Sequence, residues 1–532
     1  MDFHFTDVQH VEQNGVRYML QRAVVGNNPR FWSLWRTRVA NREELKNSSR
    51  LVLRREYGEW VAYRLKPLDN SLPFGKFSLA YSLKSRAKLL PYQPRCVEHL
   101  CNAMVRHGHA VDGSDTGLGK TYTSLAVCRE MGLRPAVICR KPGIAGWKRA
   151  CEYFGMTPLF IVNWEYAKSA KMSRFVTRTH AEYANWFEYR WTLPNGSLLI
   201  FDEAHMANHA YSQNNMLYTA SRPYASLSLS ATFADRPSRL GAMFEVLGIM
   251  DKQRFAAWLR ERGGLQLADS DEMESMSDRQ DMLEINRLIY PEYGYRLSYD
   301  DPDVMRYFPE AVHLVNVMTL PPLATRQQNK LFRELVEKVE RYRELGKQAE
   351  VMVADLRYRQ AAELLKADTL AELAQELIYE GKSVIIFVNF RETLARLAKL
   401  LNTRSLIYGG QESHGIDRER VIEEFQANRS RLILSMVDAG GQSISLHDLH
   451  GGHQRVSLVC PTYNPISLVQ VLGRTRRAGA KSTPIMQLVY AAGTVEEKVA
   501  SRVITKIRNI EALNDGDLTE DDIFKLGVDR ND

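Results

Sequence analysis

Two stretches of the chain carry residue types and spacings suited to phosphate chemistry, and the first is a loop that ends in Gly119-Lys120-Thr121. It matches the end of the phosphate-binding pattern GxxxxGK[ST], with Ser114 where the first glycine is expected. A short apolar run precedes the loop and a helical pattern follows it, which is the context that this pattern requires. The loop therefore predicts a phosphate cradle, with Lys120 on the β- and γ-phosphates and the Thr121 hydroxyl on Mg²⁺.

The second stretch is LLIFDEAH, in which Asp202 and Glu203 follow four apolar residues. An aspartate at the end of a buried strand can hold Mg²⁺ through its water shell, and the adjacent glutamate can polarise the attacking water. An acidic pair in a surface turn would not explain the apolar run before it. Together the two stretches predict an enzyme that hydrolyses ATP with Mg²⁺.

Short apolar runs predict the strands that must position these residues. They form two series, at 135–140, 158–163, 197–205 and 226–232, and at 383–390, 405–410, 431–436 and 455–461. Runs of this kind, separated by helical segments, are typical of buried parallel strands, so we expect two doubly wound α/β domains in tandem. Residues 324–380 have the composition of long helices, whose charges we expect to face solvent.

Residues 1–83 have a different pattern, which predicts a small antiparallel β domain. Alternating runs surround the turn-forming pairs Asn14-Gly15 and Tyr57-Gly58, as in two β-hairpins. Between the hairpins, PRFWSLWRTRVANR interleaves aromatic residues with arginines. Its aromatic residues either form the core of the domain or stack on nucleic-acid bases.

Composition narrows the class of protein. A chain of 532 residues is too long for one core, and its net charge of +8 favours a polyanionic partner. The six cysteines include no CxxC pair, and neither they nor the histidines have a zinc-site spacing, so we expect a reducing, intracellular setting without disulfides or zinc. The chain also has no apolar run long enough to span a bilayer and no signal-peptide pattern at residue 1, which predicts no membrane partner.

The tetrapeptide Asp-Glu-Ala-His at 202–205 resembles the acidic motif of superfamily 2 helicases and translocases, and further motifs of that superfamily follow in chain order. SLSATF (228–233) resembles its Ser-Ala-Thr motif, and QVLGRTRRAG (470–479) resembles its motif six, QxxGRxxR. The spacing of Arg474 and Arg477 predicts two arginines on one face of a helical turn, able to meet a γ-phosphate held by the other lobe. The catalytic residues implied are Lys120, Asp202, Glu203, Gln470, Arg474 and Arg477, and the coupling residues are His205, Ser230 and Thr232.

Other segments are most similar to the Swi/Snf-type translocases of double-stranded DNA. These are LLPYQ (89–93), the GLGKT form of the phosphate loop, RKPGIAGWKRACEYFG (140–155), IFVNFRETLARL (386–397), DRERVIEEFQ (417–426), LILSMVDAGGQSISL (432–446) and TYNPISLVQVLGRTRRAGAKS (462–482). The resemblance spans about residues 84–505. The ATP-binding residues that it implies are Gln93, Ser114, Asp115, Thr116, Gly117, Leu118, Gly119, Lys120 and Thr121. The nucleic-acid contacts that it implies are Arg140, Lys141, Asn163, Trp164, Asn389, Phe390 and Asp438.

Four positions depart from that branch. Phe233 stands where a proline is usual, Ser443 and Ser445 replace a glycine and an asparagine, and Ala480 replaces a glutamine. The residues for ATP are intact, so these departures loosen only the resemblance to chromatin remodelers. The chain is more similar to a small stand-alone motor of the kind that viruses and phages encode.

The resemblance implies an α/β fold of two tandem RecA-like, doubly wound parallel-sheet lobes with a small N-terminal β-rich domain. We expect the β-rich domain at 1–83, the ATP-binding lobe at 84–308, and the second lobe at 309–532 with a helical linker at about 324–380. The expected function is that of a monomeric, DNA-stimulated ATPase that moves on DNA, with duplex DNA as the favoured substrate. Two alternatives stay open, a strand-separating helicase on RNA or forked DNA and an ATP-switched sensor of DNA structure.

Overall fold

The computed structural model divides into two compact units, Met1–Ser298 and Tyr299–Asp532. The division falls slightly ahead of the 308/309 boundary that the sequence patterns indicate. The structure describes residues 6–13, 16–26, 51–56, 59–67, 84–180, 187–210, 212–263, 271–308, 311–411, 417–440, 444–462, 464–492, 494, 496 and 499–500. None of the helices within these ranges combines the length and the apolar character that crossing a membrane requires.

The N-terminal region contains a four-stranded antiparallel sheet in the order β1-β2-β4-β3. Its strands are β1 (Thr6–Gln13), β2 (Val16–Gly26), β3 (Leu51–Glu56) and β4 (Glu59–Pro67). The pairs β1–β2 and β3–β4 are the two hairpins predicted around Asn14-Gly15 and Tyr57-Gly58, and both are confirmed. The segment PRFWSLWRTRVANR lies outside the described residues, so both interpretations of it stay predictions.

The rest of the first unit is built on a six-stranded sheet in the order β12-β5-β11-β10-β6-β7, in which every pair is parallel. The strands that follow β4 are β5 (His109–Asp112), β6 (Arg134–Cys139), β7 (Phe160–Asn163), β8 (Val176–His180), β9 (Phe187–Trp191), β10 (Ser197–Asp202), β11 (Ser226–Leu229) and β12 (Gly294–Tyr295). Strands β8 and β9 form a separate antiparallel hairpin. The helices are α1 (Gln93–His107), α2 (Lys120–Glu130), α3 (Ile144–Phe154), α4 (Trp164–Ala167), α5 (Gln213–Thr219), α6 (Gly241–Leu247), α7 (Lys252–Gly263) and α8 (Asp271–Ile289).

The second unit contains another six-stranded sheet, in the order β13-β18-β17-β14-β16-β15, and again every pair is parallel. Its strands are β13 (Val312–Met318), β14 (Ser383–Val388), β15 (Leu406–Ile407), β16 (Leu432–Met436), β17 (Arg455–Val459) and β18 (Ile485–Ala491). Its helices are α9 (Pro302–Met305), α10 (Pro322–Glu344), α11 (Gln348–Leu365), α12 (Ala367–Tyr379), α13 (Arg391–Leu400), α14 (Arg418–Gln426), α15 (Val437–Gly440) and α16 (Pro465–Leu472).

Strand β14 shows why the second sheet is covered on both faces. All six of its residues are buried, and successive side chains point to opposite faces of the sheet. Ile385 and Phe387 pack in a core cluster with Phe425 of α14, whereas Ile386 packs in a second cluster with Leu370 of α12. Burial on both faces is the property of a central parallel strand, so the predicted doubly wound α/β architecture is confirmed.

The carboxyl ends of parallel strands share one edge of the sheet, and in the first unit this edge gathers most of the predicted ATP site. The phosphate loop follows β5, Asp202 ends β10, and Ser230 comes directly after β11. Arg140 follows β6 at the same edge. The sheet therefore brings together residues that lie far apart along the chain.

Candidate active site

The phosphate loop joins β5 to α2 and takes a backbone path that glycine permits. Gly117 and Gly119 have φ angles of 94° and 89°, in the left-handed region that side chains disfavour. Helix α2 begins at Lys120, so its unpaired N–H groups open onto the loop, and such a helix N-terminus favours phosphate. The local geometry therefore has the form that the sequence pattern predicts.

Gln93 is attached directly to this loop. Its Nε2 donates to the carbonyl of Leu118 at 2.9 Å, while its Oε1 accepts from the backbone N–H of Leu90 at 2.9 Å. A Cβ at position 119 would overlap the Gln93 amide nitrogen, so the loop needs glycine there for a second reason. The role of Gln93 in binding ATP stays a prediction, and its hydrogen bond to Leu118 holds it against the phosphate loop.

Ser114 makes two hydrogen bonds that fix the conformation of the loop. Its backbone N–H donates to Oδ1 of Asp112 at 3.0 Å, and its hydroxyl oxygen accepts from the backbone N–H of Leu297 at 3.0 Å. Asp112 is fully buried and also accepts from the Thr123 hydroxyl of α2 at 2.8 Å. A glycine at 114 would lack the hydroxyl, which explains why this position differs from the common pattern.

Lys120 lies against the loop and within reach of the acidic pair. Its Nζ donates to the carbonyls of Ser114 at 2.8 Å and Asp115 at 3.2 Å. Burial lowers the pKa of Lys120, and the negative charges of Asp112, Glu203 and Asp202 oppose that shift. The ammonium group and both predicted catalytic carboxylates therefore belong to one electrostatic cluster in the first unit.

Two tryptophans hold Asp202 in place. The indole Nε1 of Trp147 donates to Asp202 Oδ2 at 2.8 Å, and Nε1 of Trp164 donates to the Asp202 carbonyl at 3.3 Å. Burial and the charge of Glu203 raise the pKa of Asp202 to about 6. Glu203 itself has a φ of 56°, a left-handed conformation that is uncommon for a residue with a side chain and that clusters at functional sites.

His205 is the centre of a hydrogen-bonded chain. Its Nε2 is 3.2 Å from NH2 of Arg140, and its Nδ1 is 3.1 Å from Oγ of Ser230 and 3.3 Å from Oε2 of Glu203. Burial, with Arg140 and Lys120 nearby, lowers the pKa of His205 to about 4 despite the opposing charge of Glu203.

The imidazole is therefore neutral at pH 7. Since the arginine can only donate, Nε2 of His205 accepts from Arg140 and the proton sits on Nδ1, which faces Ser230 and Glu203. The Ser230 oxygen also accepts from the backbone N–H of Thr232 at 3.1 Å. The three predicted coupling residues thus lie in one network with the predicted catalytic glutamate.

The four predicted nucleic-acid contacts of the first unit lie in different surroundings. Lys141 is exposed, and Asn163 caps α4 by accepting from the Tyr166 N–H at 2.7 Å. Arg140 is half-buried against His205. Trp164 is buried, with only 2 % of its surface exposed, and its indole Nε1 donates to the Asp202 carbonyl. The roles of these four residues in binding nucleic acid stay predictions.

In the second unit, Asn389 follows β14 and is held by Glu363 at the end of α11. The Glu363 carboxylate accepts from the backbone N–H groups of Asn389 and Phe390 and from Asn389 Nδ2, at 2.7–3.1 Å. Asn389 Nδ2 also donates to the carbonyl of Pro461 at 2.8 Å. The third predicted contact of this unit, Asp438, is exposed and accepts from the Ser467 hydroxyl at 3.3 Å. Their roles in binding nucleic acid stay predictions.

The two motif-six arginines do not share a helical face. Helix α16 ends at Leu472 with Gly473 as its C-cap, so Arg474 lies in the turn after the helix and Arg477 lies beyond that turn. Arg474 is 4 % exposed, and its NH1 donates to the carbonyl of Ile444 at 3.3 Å. The expectation of one helical face is wrong because the spacing extrapolated the helix past the glycine. Gln470 does lie on α16 and is buried.

Comparison with known proteins places the chain among nucleic-acid motors. Residues 366–479 match the family described as helicase conserved C-terminal domain. A protein of Acanthamoeba polyphaga mimivirus, named as an ATP-dependent RNA helicase, is 31% identical over 84% of this chain and 87% of its own length. The human DNA excision repair protein ERCC-6-like is 30% identical over 26% of this chain, which corresponds to only 11% of that protein.

Among solved structures, the Sulfolobus solfataricus SWI2/SNF2 ATPase core in complex with dsDNA aligns with 82% of this chain and 95% of its own, at 15% identity and a TM-score of 0.32. The sequence relatives carry the assignment, because the mimivirus protein matches along most of both chains. About a quarter of the chain, 25%, is also similar to an SNF2 domain-containing protein of Oryza sativa, at 28% identity over 14% of that protein. The chain belongs to the superfamily 2 helicases and translocases, enzymes that hydrolyse ATP to move along or remodel nucleic acid.

Proposed function

We propose that this enzyme is a DNA-stimulated ATPase that uses ATP and Mg²⁺ to move along duplex DNA. The observation that carries the proposal is the network around His205, which links Glu203 beside the phosphate loop to Ser230 and to Arg140. A change at Arg140 or Ser230 would alter the position of Glu203 through this neutral imidazole. Such a network gives bound nucleic acid a physical route by which to favour hydrolysis.

The residues present fit a magnesium ion. Carboxylate and hydroxyl oxygens are the ligands that Mg²⁺ prefers, and Asp202 and Thr121 would hold it. The pKa of Asp202 is raised by burial and by the neighbouring Glu203, and a bound dication would favour the ionised form of both carboxylates. When bound, the ion neutralises charge on the β- and γ-phosphates.

The residues around the phosphate loop then have separate roles in hydrolysis. Lys120 binds the phosphates, the Trp147 indole orients Asp202, and Glu203 polarises the attacking water. The pKa of His205, at about 4, keeps the imidazole neutral at the working pH, with its proton on Nδ1. The neutral ring links the position of Glu203 to the positions of Arg140 and Ser230.

The test is ATP turnover measured with single-stranded DNA, duplex DNA, forked DNA, RNA and no nucleic acid. We expect duplex DNA to give the largest stimulation, and Glu203→Gln to lower the stimulated turnover number by about 10²- to 10³-fold. A control variant, Glu245→Gln, changes a carboxylate of the same unit that pairs with Lys252, and should keep normal turnover. If none of these nucleic acids changes the ATP turnover of the unmodified enzyme, the proposal is refuted and the ATP-switched sensor is favoured.

A strand-separating helicase is the second candidate, and the name of the mimivirus relative favours RNA as its substrate. The discriminating experiment compares displacement of a triplex-forming strand from duplex DNA with unwinding of forked DNA and of an RNA duplex. Triplex displacement without unwinding supports translocation on duplex DNA. Unwinding of RNA, with stimulation of turnover by RNA alone, would replace duplex DNA in the proposal.

A further inference from the structure

The phosphate loop is bordered by a segment that the sequence patterns did not single out, residues 290–297, here called the strap. Its backbone continues the pairing of β12 with β5 into the loop, because the N–H groups of Val111, Gly113 and Asp115 donate in turn to the carbonyls of Tyr293, Tyr295 and Leu297, at 2.9–3.0 Å. The Ser114 hydroxyl closes this ladder by accepting from the Leu297 N–H. The first half of the loop is therefore fixed by the strap.

Arg296 of the strap adds a charge to this contact. Its NH1 lies 3.0 Å from Oδ1 of Asp115 and donates to the carbonyl of Gly113 at 3.1 Å. The side chains of Arg296 and Asp115 are only 11% and 19% exposed, so water screens the pair weakly. Both contacts are made by the same nitrogen, NH1, so one cationic group bridges the Asp115 carboxylate and the Gly113 carbonyl.

Asp115 is an unfavourable residue beside a polyphosphate. It belongs to the loop expected to surround the phosphates, and its carbonyl accepts from Lys120, the residue expected to contact them. An uncompensated carboxylate there would repel the anionic ligand, and it would also attract the ammonium that the ligand needs.

We propose that Arg296 is a positioning residue of the ATP site, which neutralises Asp115 and fixes the first half of the phosphate loop so that the loop accepts an anionic polyphosphate. The inference rests on the proposed binding of ATP at this loop. It goes beyond that proposal because it assigns ATP affinity to a charge pair between the loop and a segment far along the chain.

The experiment measures kcat and KM for ATP in the full chain, for Arg296→Ala, Arg296→Lys, Asp115→Asn and the double variant Arg296→Ala/Asp115→Asn. We expect Arg296→Ala to raise KM on the order of tenfold with kcat changed less than about twofold, because an uncompensated charge acts on ligand binding. Asp115→Asn removes a carboxylate from the loop itself, so it is the reference for the double variant. The double variant should recover most of the affinity that Arg296→Ala loses, because it removes the carboxylate that repels the ligand. Arg296→Lys should fall between, since it keeps the charge but has a shorter side chain with a different head group.

Ionic strength supplies a readout that a merely structural role would not change. The KM defect of Arg296→Ala should shrink as salt rises, because the repulsion is screened, whereas the KM of the double variant should follow that of Asp115→Asn. An equal defect in Arg296→Ala and in the double variant at every salt concentration would overturn the inference, as would a loss of kcat alone. If the unmodified enzyme fails to hydrolyse ATP, the proposed function itself fails, which is a distinct outcome.

Discussion

At the scale of single residues, Gly113 is the position where the phosphate loop has least room. A Cβ at this position would overlap the hydroxyl oxygen of Tyr290 and approach its ring carbon Cζ to 3.0 Å. The sequence pattern drew attention to Ser114 as the missing glycine, whereas the steric need for glycine lies one residue earlier. The pattern could not indicate this, because Tyr290 is distant in the chain and its position depends on the fold.

This close approach gives a prediction about stability. Gly113→Ala should lower the free energy of unfolding by about 1–3 kcal/mol, because the added methyl group overpacks the space that the Tyr290 hydroxyl fills. Adding Tyr290→Phe removes the nearest atom and should restore part of the loss. Urea unfolding measures both effects.

The matched control is Gly146→Ala in α3, where an added Cβ meets nothing within 4 Å. It should leave stability unchanged or raise it by up to about 1 kcal/mol, since alanine suits a helix interior better than glycine. The steric explanation fails if Gly113→Ala is as stable as the control, or if Tyr290→Phe restores nothing.

At the scale of elements, the end of α11 carries two charged residues that are buried, contrary to the expectation that the charges of 324–380 face solvent. Glu363 is 1% exposed and binds the backbone after β14, and Lys366 is fully buried with its Nζ 2.6 Å from Glu496 Oε1. Burial raises the pKa of Glu363, with the Glu496 charge adding to the shift. Composition averages over a segment, so it predicted the helices correctly but not the two positions whose partners, Asn389 and Glu496, lie elsewhere.

We expect Glu363→Ala to lower the free energy of unfolding by about 2–4 kcal/mol, because it leaves the half-buried donors of Asn389 and Phe390 without their acceptor. Chemical denaturation of the full chain, followed by a spectroscopic signal of the second unit, measures the change. Glu376→Ala, on the exposed side of α12, is the control and should stay within about 0.5 kcal/mol. Equal stability of the two variants would show that the Glu363 bonds contribute little.

At the scale of the whole molecule, the sequence predicted strands that lie in a continuous apolar run, including the partly exposed β7, and it missed strands that lack such a run. Strands β10 and β14 were found because their apolar runs are continuous. Strand β13 was missed because His313 and Asn316 interrupt its apolar residues, and β12 because Gly294 and Tyr295 form no apolar run. Likewise, the phosphate loop and the acidic pair were predicted because each is a contiguous run, whereas the strap was not because its partners lie far along the chain.

The motif resemblance assigns hydrolysis to residues of both units, and this can be tested by changing one residue in each. Lys120→Ala should weaken ATP binding and abolish stimulated turnover. Arg477→Ala should lower turnover by about 10³-fold while leaving ATP binding within a few-fold, as expected for an arginine that acts on the transition state.

The control for the second unit is Arg420→Ala, an exposed arginine of α14 that pairs with Glu424 and should leave turnover unchanged. Turnover and equilibrium binding of a fluorescent ATP analogue are measured on the same samples. Normal stimulated turnover in either Lys120→Ala or Arg477→Ala would contradict the assignment to hydrolysis.

The ladder between the strap and the phosphate loop also has a consequence for the order in which the protein can mature. Ser114 and Leu297 are 183 residues apart, so a nascent chain leaves the ribosome with its phosphate loop exposed long before the strap is synthesised. Strand β13 likewise cannot pair until its partner strand β18 has been synthesised. A polypeptide truncated before residue 290 would keep every residue of the nucleotide-binding motif and still lack the backbone carbonyls that hold the loop in shape. We therefore expect the first half of the phosphate loop to take its final shape only after translation of the whole first unit.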